Sequence, residues 1–583
     1  MKLNGEQKAA VGCAESSCIA ACPGSGKTRT IVAKIVSCVD DVRGSPRRIA
    51  CITYTHTAAD EIERRLREFG DSDDLEYCEI GTIHSFCLNN ILRPFYYRLP
   101  ELSSGFDVFP PDSDEWRKLT RELGEKHNID RRYTDYFTGV QREPDGRLFV
   151  PPAIPEVAAL EFVNHMDSNS LVTFADIVYH SFRLVDAEPF IARGVASRFA
   201  WILVDEFQDT SAGQVAILRS IAEHDKTQFF LVGDPNQSIM GFAGAHPNLM
   251  TVFPVEVHAK TDLHLRGNYR CSQKIVDDAE ALVPTDPIMR AVGEWKDFGK
   301  KPEHVHASSL IEGVFDHFLP AVDTLGIPLG EAAVLAPWWT TLYRLARDLR
   351  DRGVPVRGPG ARPYRYSNLF AGLAENLCAY LEQPEADLFR PTQNMLFIML
   401  LNMTGNPVWR VYSYEGRRCL CCILSSLRKV REMEENAVSW LRSAANLTAE
   451  CLVKDEFVTP NQGTMITESA EGMVANMIKN KIDINHLHVS DLALYGRPKD
   501  CVRLISMHGA KGLEFDAVAI VDLHEGRVPD FRAIKDGNEE AIEEDRRQLY
   551  VAMTRPRKLL MYITDSSDCC NRPSRFLKEI GVV

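Results

Sequence analysis

Short apolar runs and amphipathic stretches alternate along the first part of the chain. Residues 18–21 (CIAA) form an apolar run, and residues 28–39 (TRTIVAKIVSCV) place apolar side chains at helical spacing. Similar strand or strand-then-helix patterns recur at residues 49–66, 79–92, 201–204 and 228–232. Apolar strands separated by helices predict an α/β fold, with mainly parallel sheets flanked by helices.

Length and composition place the chain among multidomain, water-soluble proteins. It has 583 residues, which is too many for one core, and no run of about 18 apolar residues that would span a membrane. Its net charge of −14 argues against nonspecific coating of DNA, but it leaves room for a local basic channel. The polar N-terminus is unlike a signal peptide, so we expect a cytoplasmic protein.

The 16 cysteines are expected to be reduced thiols. The tightest cluster contains Cys419, Cys421 and Cys422, and a second pair is Cys569 and Cys570. Neither has a matching pair at the spacing of a zinc site, so buried thiols are favoured over a metal site.

The stretch ACPGSGKT (residues 21–28) matches a phosphate-binding loop, except that Ala21 replaces the first glycine. Small residues let successive backbone N–H groups surround phosphate oxygens, and a helix beginning near Lys27 adds its positive end. Lys27 would reach the terminal phosphates, and the Thr28 hydroxyl would bind Mg²⁺. The alternative is an ordinary glycine-containing turn, which the strand and helix on either side disfavour.

Two later strands end in side chains suited to hydrolysis. The run at residues 201–204 ends in Asp205 and Glu206, and the run at residues 228–232 is followed by Asp234 and Gln237. Beside a phosphate loop, Asp205 can hold Mg²⁺ through water and Glu206 can polarise the attacking water. Gln237 is placed to sense the γ-phosphate.

Hydroxyl, imidazole and aromatic side chains follow two other predicted strands. Tyr54, Thr55 and His56 follow one strand, and Thr82 and His84 follow the next. Such side chains can hydrogen-bond phosphates and stack on bases without reading sequence. The alternative is that the threonines cap helices.

The order of these blocks resembles superfamily 1 DNA helicases of the UvrD/Rep/PcrA type. In chain order the matching stretches are LNGEQKAAV, ACPGSGKT, TYTHTAA, GTIHSF, LVDEFQDT, VGDPNQSI, NYRCS, MHGAKGLEF and YVAMTR. They cover nearly the whole chain. The resemblance implies an ATP-dependent DNA helicase or translocase that moves 3′-to-5′ on single-stranded or tailed duplex DNA, with ATP and Mg²⁺ as cofactors.

The resemblance also implies roles for residues near the nucleotide. Glu206 is the catalytic base, Gln237 couples phosphate state to DNA contacts, and Arg270 and Arg555 neutralise transition-state charge from the second motor domain. Gln7 reads the adenine edge, Tyr269 stacks on adenine, and Glu514 meets the ribose. The full predicted nucleotide-binding set is Gln7, Pro23, Gly24, Ser25, Gly26, Lys27, Thr28, Arg29, Tyr269, Arg270, Glu514 and Arg555.

The predicted single-strand path departs from the family pattern at one segment. The family usually has Tyr-Gly-Trp-Arg-Gly-Ala where this chain has Met240, Gly241, Phe242, Ala243, Gly244 and Ala245. Phe242 keeps an aromatic ring that can stack on a base, whereas Met240 replaces an aromatic residue and Ala243 replaces an arginine that helps to link DNA to the hydrolytic centre. The loss of one base stack costs roughly 1–3 kcal/mol. We therefore expect intact hydrolysis chemistry but weaker DNA binding or weaker coupling of hydrolysis to DNA. The predicted path is lined by Tyr54, Thr55, His56, Thr82, His84, Phe242 and His508.

Two RecA-like motor domains are expected, each interrupted by a mostly helical insertion. The first comprises residues 1–89 and 189–263, with an insertion at 90–188. The second comprises residues 264–374 and 496–583, with a reduced insertion at 375–495. The resemblance places ATP between the motor domains. An alternative function is a nucleic-acid-gated ATPase subunit beside a separate nuclease, as in Gabija-type phage defence; the small second insertion, Met240, Ala243 and the acidic net charge motivate it.

Overall fold

A computed structural model describes residues 2–71, 73–111, 113–224, 226–239, 241, 248–365, 368–404, 407–566 and 572–583. The chain forms two compact units. Unit 1 contains Met1–Gly299 and Ala533–Thr554, and unit 2 contains Lys300–Arg532 and Arg555–Val583. The four-domain division predicted from the sequence is finer than this and stays a prediction.

Unit 1 is built on a parallel sheet. Its strands in chain order are β1 Ser17–Ala21, β2 Arg48–Thr53, β3 Cys78–Thr82, β4 Asp107–Val108, β5 Gln141–Arg142, β6 Leu148–Phe149, β7 Leu171–Val172, β8 Phe199–Val204, β9 Gln228–Gly233, β10 Lys260–Leu265, β11 Gly267–Asn268 and β12 Arg290–Ala291. Within the described residues, six of them form one sheet in the order β10-β1-β9-β8-β2-β3, with every pairing parallel. This confirms the predicted fold class.

Both faces of this sheet are buried, which explains why its strands read as apolar runs. Along β8, Trp201 and Leu203 join one apolar core while Ile202 and Val204 join the other. Successive side chains of a strand point to opposite faces, so helices must cover both. The helices in the first segment of unit 1, up to residue 299, are α1 Gly5–Val11, α2 Lys27–Val42, α3 His56–Phe69, α4 Ile83–Cys87, α5 Arg93–Phe95, α6 Asp114–Lys126, α7 Glu156–Ser168, α8 Phe174–Ala187, α9 Pro189–Arg198, α10 Ala212–Ala222, α11 Leu249–Glu256 and α12 Gln273–Leu282.

Unit 2 repeats the arrangement with a second parallel sheet. Its strands are β13 Glu303–Ala307, β14 Ala332–Ala336, β15 Val356–Arg357, β16 Val502–Ser506, β17 Phe515–Val521 and β18 Pro556–Asp565. In the part of the chain that the structure describes, their order is β13-β18-β17-β14-β16-β15, and all pairings are parallel. The helices that follow along the chain are α13 Leu310–Glu312, α14 Leu319–Thr324, α15 Trp339–Asp351, α16 Ala371–Glu382, α17 Ala386–Thr404, α18 Tyr414–Met433, α19 Ala437–Lys454, α20 Pro460–Lys479, α21 Val489–Gly496, α22 Phe531–Asp536, α23 Glu539–Met553 and α24 Arg575–Glu579.

Mostly helical segments interrupt both sheets, as predicted. In unit 1 they lie between β3 and β8, and in unit 2 helices α16 to α21 lie between β15 and β16 and share one apolar core. Helix α23 belongs to unit 1, although its sequence position is far from the rest of that unit. Among the described residues, no helix combines the length and apolar character that crossing a bilayer requires.

The cysteine prediction is wrong for two of three residues in the tightest cluster. Cys419 is buried, but Cys421 and Cys422 are exposed, because they lie on the outer face of α18. Cys569 and Cys570 lie outside the described residues.

Candidate active site

The loop between β1 and α2 has the backbone geometry of a phosphate cradle. Gly24 and Gly26 have φ values of 66° and 81°, a region that glycine enters without steric cost. Gly26 is the N-cap of α2, and no side chain in the described part of the chain caps this helix. The positive end of α2 is therefore left to a ligand rather than to a capping group.

Residues 268–271 pack directly on this loop. The Tyr269 N–H donates to the Gly24 carbonyl at 2.8 Å, and a Cβ on Gly24 would lie 2.8 Å from the Arg270 Cβ. The buried Asn268 carboxamide oxygen accepts the N–H groups of Arg270 and Cys271, both at 2.8 Å. Asn268 thus fixes the turn that carries Tyr269 and Arg270 beside the phosphate loop.

The N-terminal helix braces the same loop from another side. Asn4 and Gln7 form a capping box on α1, and Gln7 Nε2 donates to the Ser25 carbonyl at 3.0 Å. Asn4 Nδ2 donates to the Tyr269 hydroxyl at 2.7 Å. The predicted nucleotide contacts Gln7 and Tyr269 therefore both hydrogen-bond to carbonyls of this loop.

A compact acidic cluster faces Lys27. Lys27 Nζ lies 3.0 Å from Glu206 Oε2, and the Glu206 N–H donates to Asp205 Oδ1 at 2.9 Å. Gln208 donates from Nε2 to Glu206 at 2.6 Å and accepts the Asp234 N–H through Oε1 at 3.0 Å. Gln208 therefore links the Glu206 carboxylate, which follows β8, to the backbone of Asp234, which follows β9.

Burial and mutual repulsion perturb these groups. Burial, and then the charge of Glu206, raise the pKa of Asp205 to about 7. Burial raises the pKa of Asp234 as well. Burial acts to lower the pKa of Lys27, but Glu206 and the two aspartates outweigh it and raise that pKa above its usual range. Ionised carboxylates are held here at a cost that a bound cation would offset.

Replacement of Asp205 by asparagine is expected to stabilise the ligand-free protein. The pKa of Asp205 is about 4 in the unfolded chain and about 7 in the folded protein. As pH rises between these two values, the unfolded chain releases the proton first, so the fold becomes less stable. The gain in unfolding free energy should grow over that window to about 1–4 kcal/mol and then level off. Chemical denaturation across pH without nucleotide or Mg²⁺ measures it, with the exposed Asp262→Asn as control. A pH-independent gain, or a loss at pH 8, would contradict the assignment.

The ends of β2 and β3 carry the predicted nucleic-acid side chains. Thr55 and Thr82 accept the N–H groups of Ala58 and Ser85, so both threonines do cap helices. His84 lies against Phe174, with ring centroids 5.5 Å apart. Burial, and then the charge of His56, lower the pKa of His84 to about 4, so this ring is neutral at physiological pH. Phe174 and Tyr54 are both partly exposed. The strand ends thus present aromatic surface and neutral hydrogen-bonding groups.

Comparison with known proteins agrees with this geometry. The UvrD/REP helicase N-terminal domain matches residues 3–258, and the UvrD-like helicase C-terminal domain matches residues 425–567. The chain belongs to the UvrD/Rep helicase family. This confirms the resemblance read from the sequence motifs.

Several curated relatives match along the whole chain. A probable DNA helicase II homolog of Mycoplasma pneumoniae is 24% identical over 650 residues, covering 100% of this chain and 86% of the relative. The ATP-dependent DNA helicase PcrA of Staphylococcus epidermidis is 24% identical, and that of Staphylococcus aureus is 25% identical, each covering 99% of this chain and 86% of the relative.

The segment after β9 connects the acidic cluster to α23 in this UvrD/Rep family member. Gln237 Nε2 donates to Asp234 Oδ2 at 2.6 Å, and the next residue, Ser238, donates from its hydroxyl to the Gln208 carbonyl at 3.1 Å. From α23, Arg547 Nε donates to the Ser238 carbonyl at 2.8 Å, and Glu544 accepts the Gly241 N–H at 3.1 Å. Met240, Phe242 and Ala243 lie outside the described residues, so the predicted consequences of that departure stay a prediction.

The remaining predicted residues divide between the two units. Arg270 lies in unit 1, where its Nη1 donates to the Thr554 carbonyl at 3.0 Å. Arg555 lies in unit 2, is 2% exposed, and donates from Nη1 to the Leu513 carbonyl at 3.4 Å. Glu514 lies 3.3 Å from Arg557, and His508 follows β16, where burial and then Lys511 lower its pKa to about 4. The catalytic and DNA-binding roles of these residues stay predictions.

The donor set around the loop fits a magnesium nucleotide. Thr28 and Asp205 supply a hydroxyl and a carboxylate, the oxygen donors that Mg²⁺ prefers. The buried Ser25 hydroxyl has no hydrogen-bond partner among the described residues, and it lies in the cradle itself. Pro23 is buried, while Arg29 is exposed at the first turn of α2.

Sequence reasoning missed three residues that position this site. Gln208 and Asn268 lie inside the matching stretches LVDEFQDT and NYRCS. Their amide side chains, which can both donate and accept hydrogen bonds, could have identified them as positioning residues. Phe174 begins α8 at the end of the first insertion, and only its exposed aromatic ring in an otherwise amphipathic helix marked it.

Proposed function

We propose that this chain is an ATP-dependent DNA helicase or translocase that moves 3′-to-5′ on single-stranded or tailed duplex DNA. The observation that carries the proposal is the hydrogen-bonded chain from Lys27 through Glu206, Gln208 and Asp234 to the segment that follows β9. It joins a phosphate cradle to Gln237 and Ser238 in the segment that follows β9. The names of the relatives, ATP-dependent DNA helicase PcrA, support it.

The chemistry assigned to unit 1 is hydrolysis of the terminal phosphoanhydride. Mg²⁺, held by Thr28 and Asp205, would neutralise charge on the phosphate oxygens. Lys27 and the first-turn N–H groups of α2 hold the terminal phosphates. Glu206 accepts the proton of the water that attacks the γ-phosphorus, while the bond to the ADP oxygen breaks. Arg270, fixed beside Gly24, adds positive charge near the transferred group, and Arg555 is proposed to act likewise.

Coupling to DNA is proposed to run through Gln237 and Ser238. These residues share hydrogen bonds with Asp234 and Gln208 on one side and with Arg547 of α23 on the other. If the γ-phosphate contacts Gln237, ATP would bind more tightly to one arrangement of this segment than to another. A ligand can shift a conformational equilibrium only through such a difference in affinity. Tyr54, His84 and Phe174 are proposed to hold bases by stacking.

The deciding experiment measures ATP hydrolysis and strand separation together. Single-stranded DNA is expected to stimulate hydrolysis, and a duplex with a 3′ tail is expected to open faster than one with a 5′ tail. A blunt duplex is the matched control. Absence of stimulation by any single strand would remove the proposed function, and preference for the 5′ tail would reverse only the direction.

A second candidate is a nucleic-acid-gated ATPase subunit that works beside a separate nuclease. The replacement of an aromatic by Met240 and of an arginine by Ala243 favours it, because both changes weaken grip on DNA. In this case, DNA would stimulate hydrolysis without processive unwinding, and a nuclease would co-purify with the untagged protein. Processive unwinding by the isolated chain would exclude this candidate.

A further inference from the structure

We propose that Tyr550 of α23 is a positioning residue whose hydroxyl holds the Asp234 carboxylate when Gln237 turns to the γ-phosphate of ATP. This inference rests on the proposed function, in which Gln237 senses that phosphate, and it names the partner that this movement requires. All three residues belong to unit 1. Tyr550 lies in the matching stretch YVAMTR, and no role was expected for it from the sequence.

The helix face that carries Tyr550 is attached on both sides of this residue to segments around the nucleotide site. One turn before it, Arg547 Nε donates to the Ser238 carbonyl at 2.8 Å. One turn after it, the Thr554 carbonyl accepts a hydrogen bond from Arg270 Nη1 at 3.0 Å. Residues three or four positions apart share one face of an α-helix, so Tyr550 lies on the face that meets these segments.

The Tyr550 hydroxyl has no hydrogen-bond partner among the described residues, although its side chain is fully buried. Burial, and then the charge of Asp234, raise the pKa of Tyr550 well above its usual range. The hydroxyl therefore keeps its proton and can donate it to a carboxylate. A buried tyrosine hydroxyl usually has a partner, so this one indicates a partner that is gained in another state of the protein.

The Asp234 carboxylate is held by Gln237 in this structure. Gln237 Nε2 donates to Oδ2 at 2.6 Å, and the Asn236 N–H donates to Oδ1 at 3.0 Å. A Gln237 nitrogen that bridged Asp234 and a γ-phosphate would hold two negative groups side by side in a buried site, which is unfavourable. Movement of Gln237 to the phosphate therefore takes the donor away from Oδ2, and a buried acceptor without a donor is costly.

An exchange of donors removes this cost. While Gln237 bonds to Asp234, the Tyr550 hydroxyl is the buried group without a partner. Once Gln237 contacts the γ-phosphate, the hydroxyl donates to Asp234 and both groups are paired. ADP has no γ-phosphate to attract Gln237, so the exchange favours ATP over ADP and supplies the difference in affinity that a conformational switch needs.

The test is Tyr550→Phe, which removes one oxygen and keeps the ring. AMP-PNP, an ATP analogue that is not hydrolysed, is expected to bind about 10- to 100-fold more weakly with Mg²⁺, because a hydrogen bond to a charged group is lost only in that state. Mg²⁺-ADP should bind with wild-type affinity. Calorimetric titration measures both. The melting temperature without nucleotide should not fall, because the hydroxyl makes no hydrogen bond there.

Two further variants make the test specific. Tyr562→Phe is the matched control, because Tyr562 is equally buried but lies in β18 of unit 2, and it should keep the wild-type ratio of AMP-PNP to ADP affinity. Gln237→Ala removes the exchange, because Tyr550 can then hold Asp234 in both states. In that background Tyr550→Phe should no longer change the ratio, as a double-mutant cycle would show.

The outcomes separate this inference from the proposed function. If single-stranded DNA does not stimulate ATP hydrolysis by the wild type, the proposed function fails. If it does, and Tyr550→Phe keeps the wild-type ratio or weakens ADP as much as AMP-PNP, the inference fails. A lower melting temperature of nucleotide-free Tyr550→Phe would also overturn it, because the hydroxyl would then already have a partner.

Discussion

Replacing Glu206 by glutamine is expected to slow ATP hydrolysis by about 10²- to 10⁴-fold while the protein stays folded. An amide cannot take the proton of the attacking water, although its oxygen can still accept the hydrogen bond from Gln208 that is seen at 2.6 Å. The measurement is phosphate release at saturating ATP, Mg²⁺ and single-stranded DNA. Nucleotide binding should survive, because Lys27 and the loop remain.

The matched control for Glu206→Gln is Glu223→Gln, an exposed carboxylate just past α10. It removes the same charge without touching the cluster and should hydrolyse ATP at the wild-type rate. Turnover within tenfold of wild type in Glu206→Gln would show that the base is another group, with Asp205 the nearest candidate.

Replacing Lys27 by alanine is expected to abolish turnover for a different reason. It removes the ammonium that would hold the terminal phosphates, and it leaves Glu206 and Asp205 without the cation that lies 3.0 Å from Glu206. Both ATP affinity and turnover should therefore fall, turnover by about a thousandfold or more. Binding of a fluorescent ATP analogue and phosphate release together measure the effect.

Lys8→Ala, an exposed lysine on α1, is the control for this change and should behave as wild type. The two catalytic variants also test each other, because Glu206→Gln should keep nucleotide binding and Lys27→Ala should lose it. Wild-type nucleotide affinity in Lys27→Ala would place the phosphates elsewhere.

The sheet of unit 1 could be predicted because burial on both faces leaves a direct trace in the sequence. The runs at residues 201–204 and 228–232 became strands Phe199–Val204 and Gln228–Gly233. The carboxyl ends of parallel strands meet at one edge of a sheet, so the sequence alone was enough to place Asp205 and Asp234 near the loop.

Contacts between distant segments could not be predicted in the same way. One example is the hydrogen bond from the Tyr269 N–H to the Gly24 carbonyl, and another is the bond that the Asn268 side chain accepts from the Arg270 N–H. Both depend on how the turn at residues 268–271 packs on the phosphate loop, and the local hydrophobic pattern carries no information about that packing. The association of residues 533–554 with unit 1 is a further example. Phe174 meets His84 only because the insertion returns to the sheet at α8.

The ion pair between Lys27 and Glu206 has a consequence for how nucleotide leaves. If Lys27 holds the terminal phosphates as proposed, its ammonium must leave the Glu206 carboxylate when ATP binds. After the γ-phosphate has been released, Glu206 would compete with ADP for the same ammonium and so favour ADP release. Replacing Glu206 would then be expected to lengthen the time for which ADP stays bound.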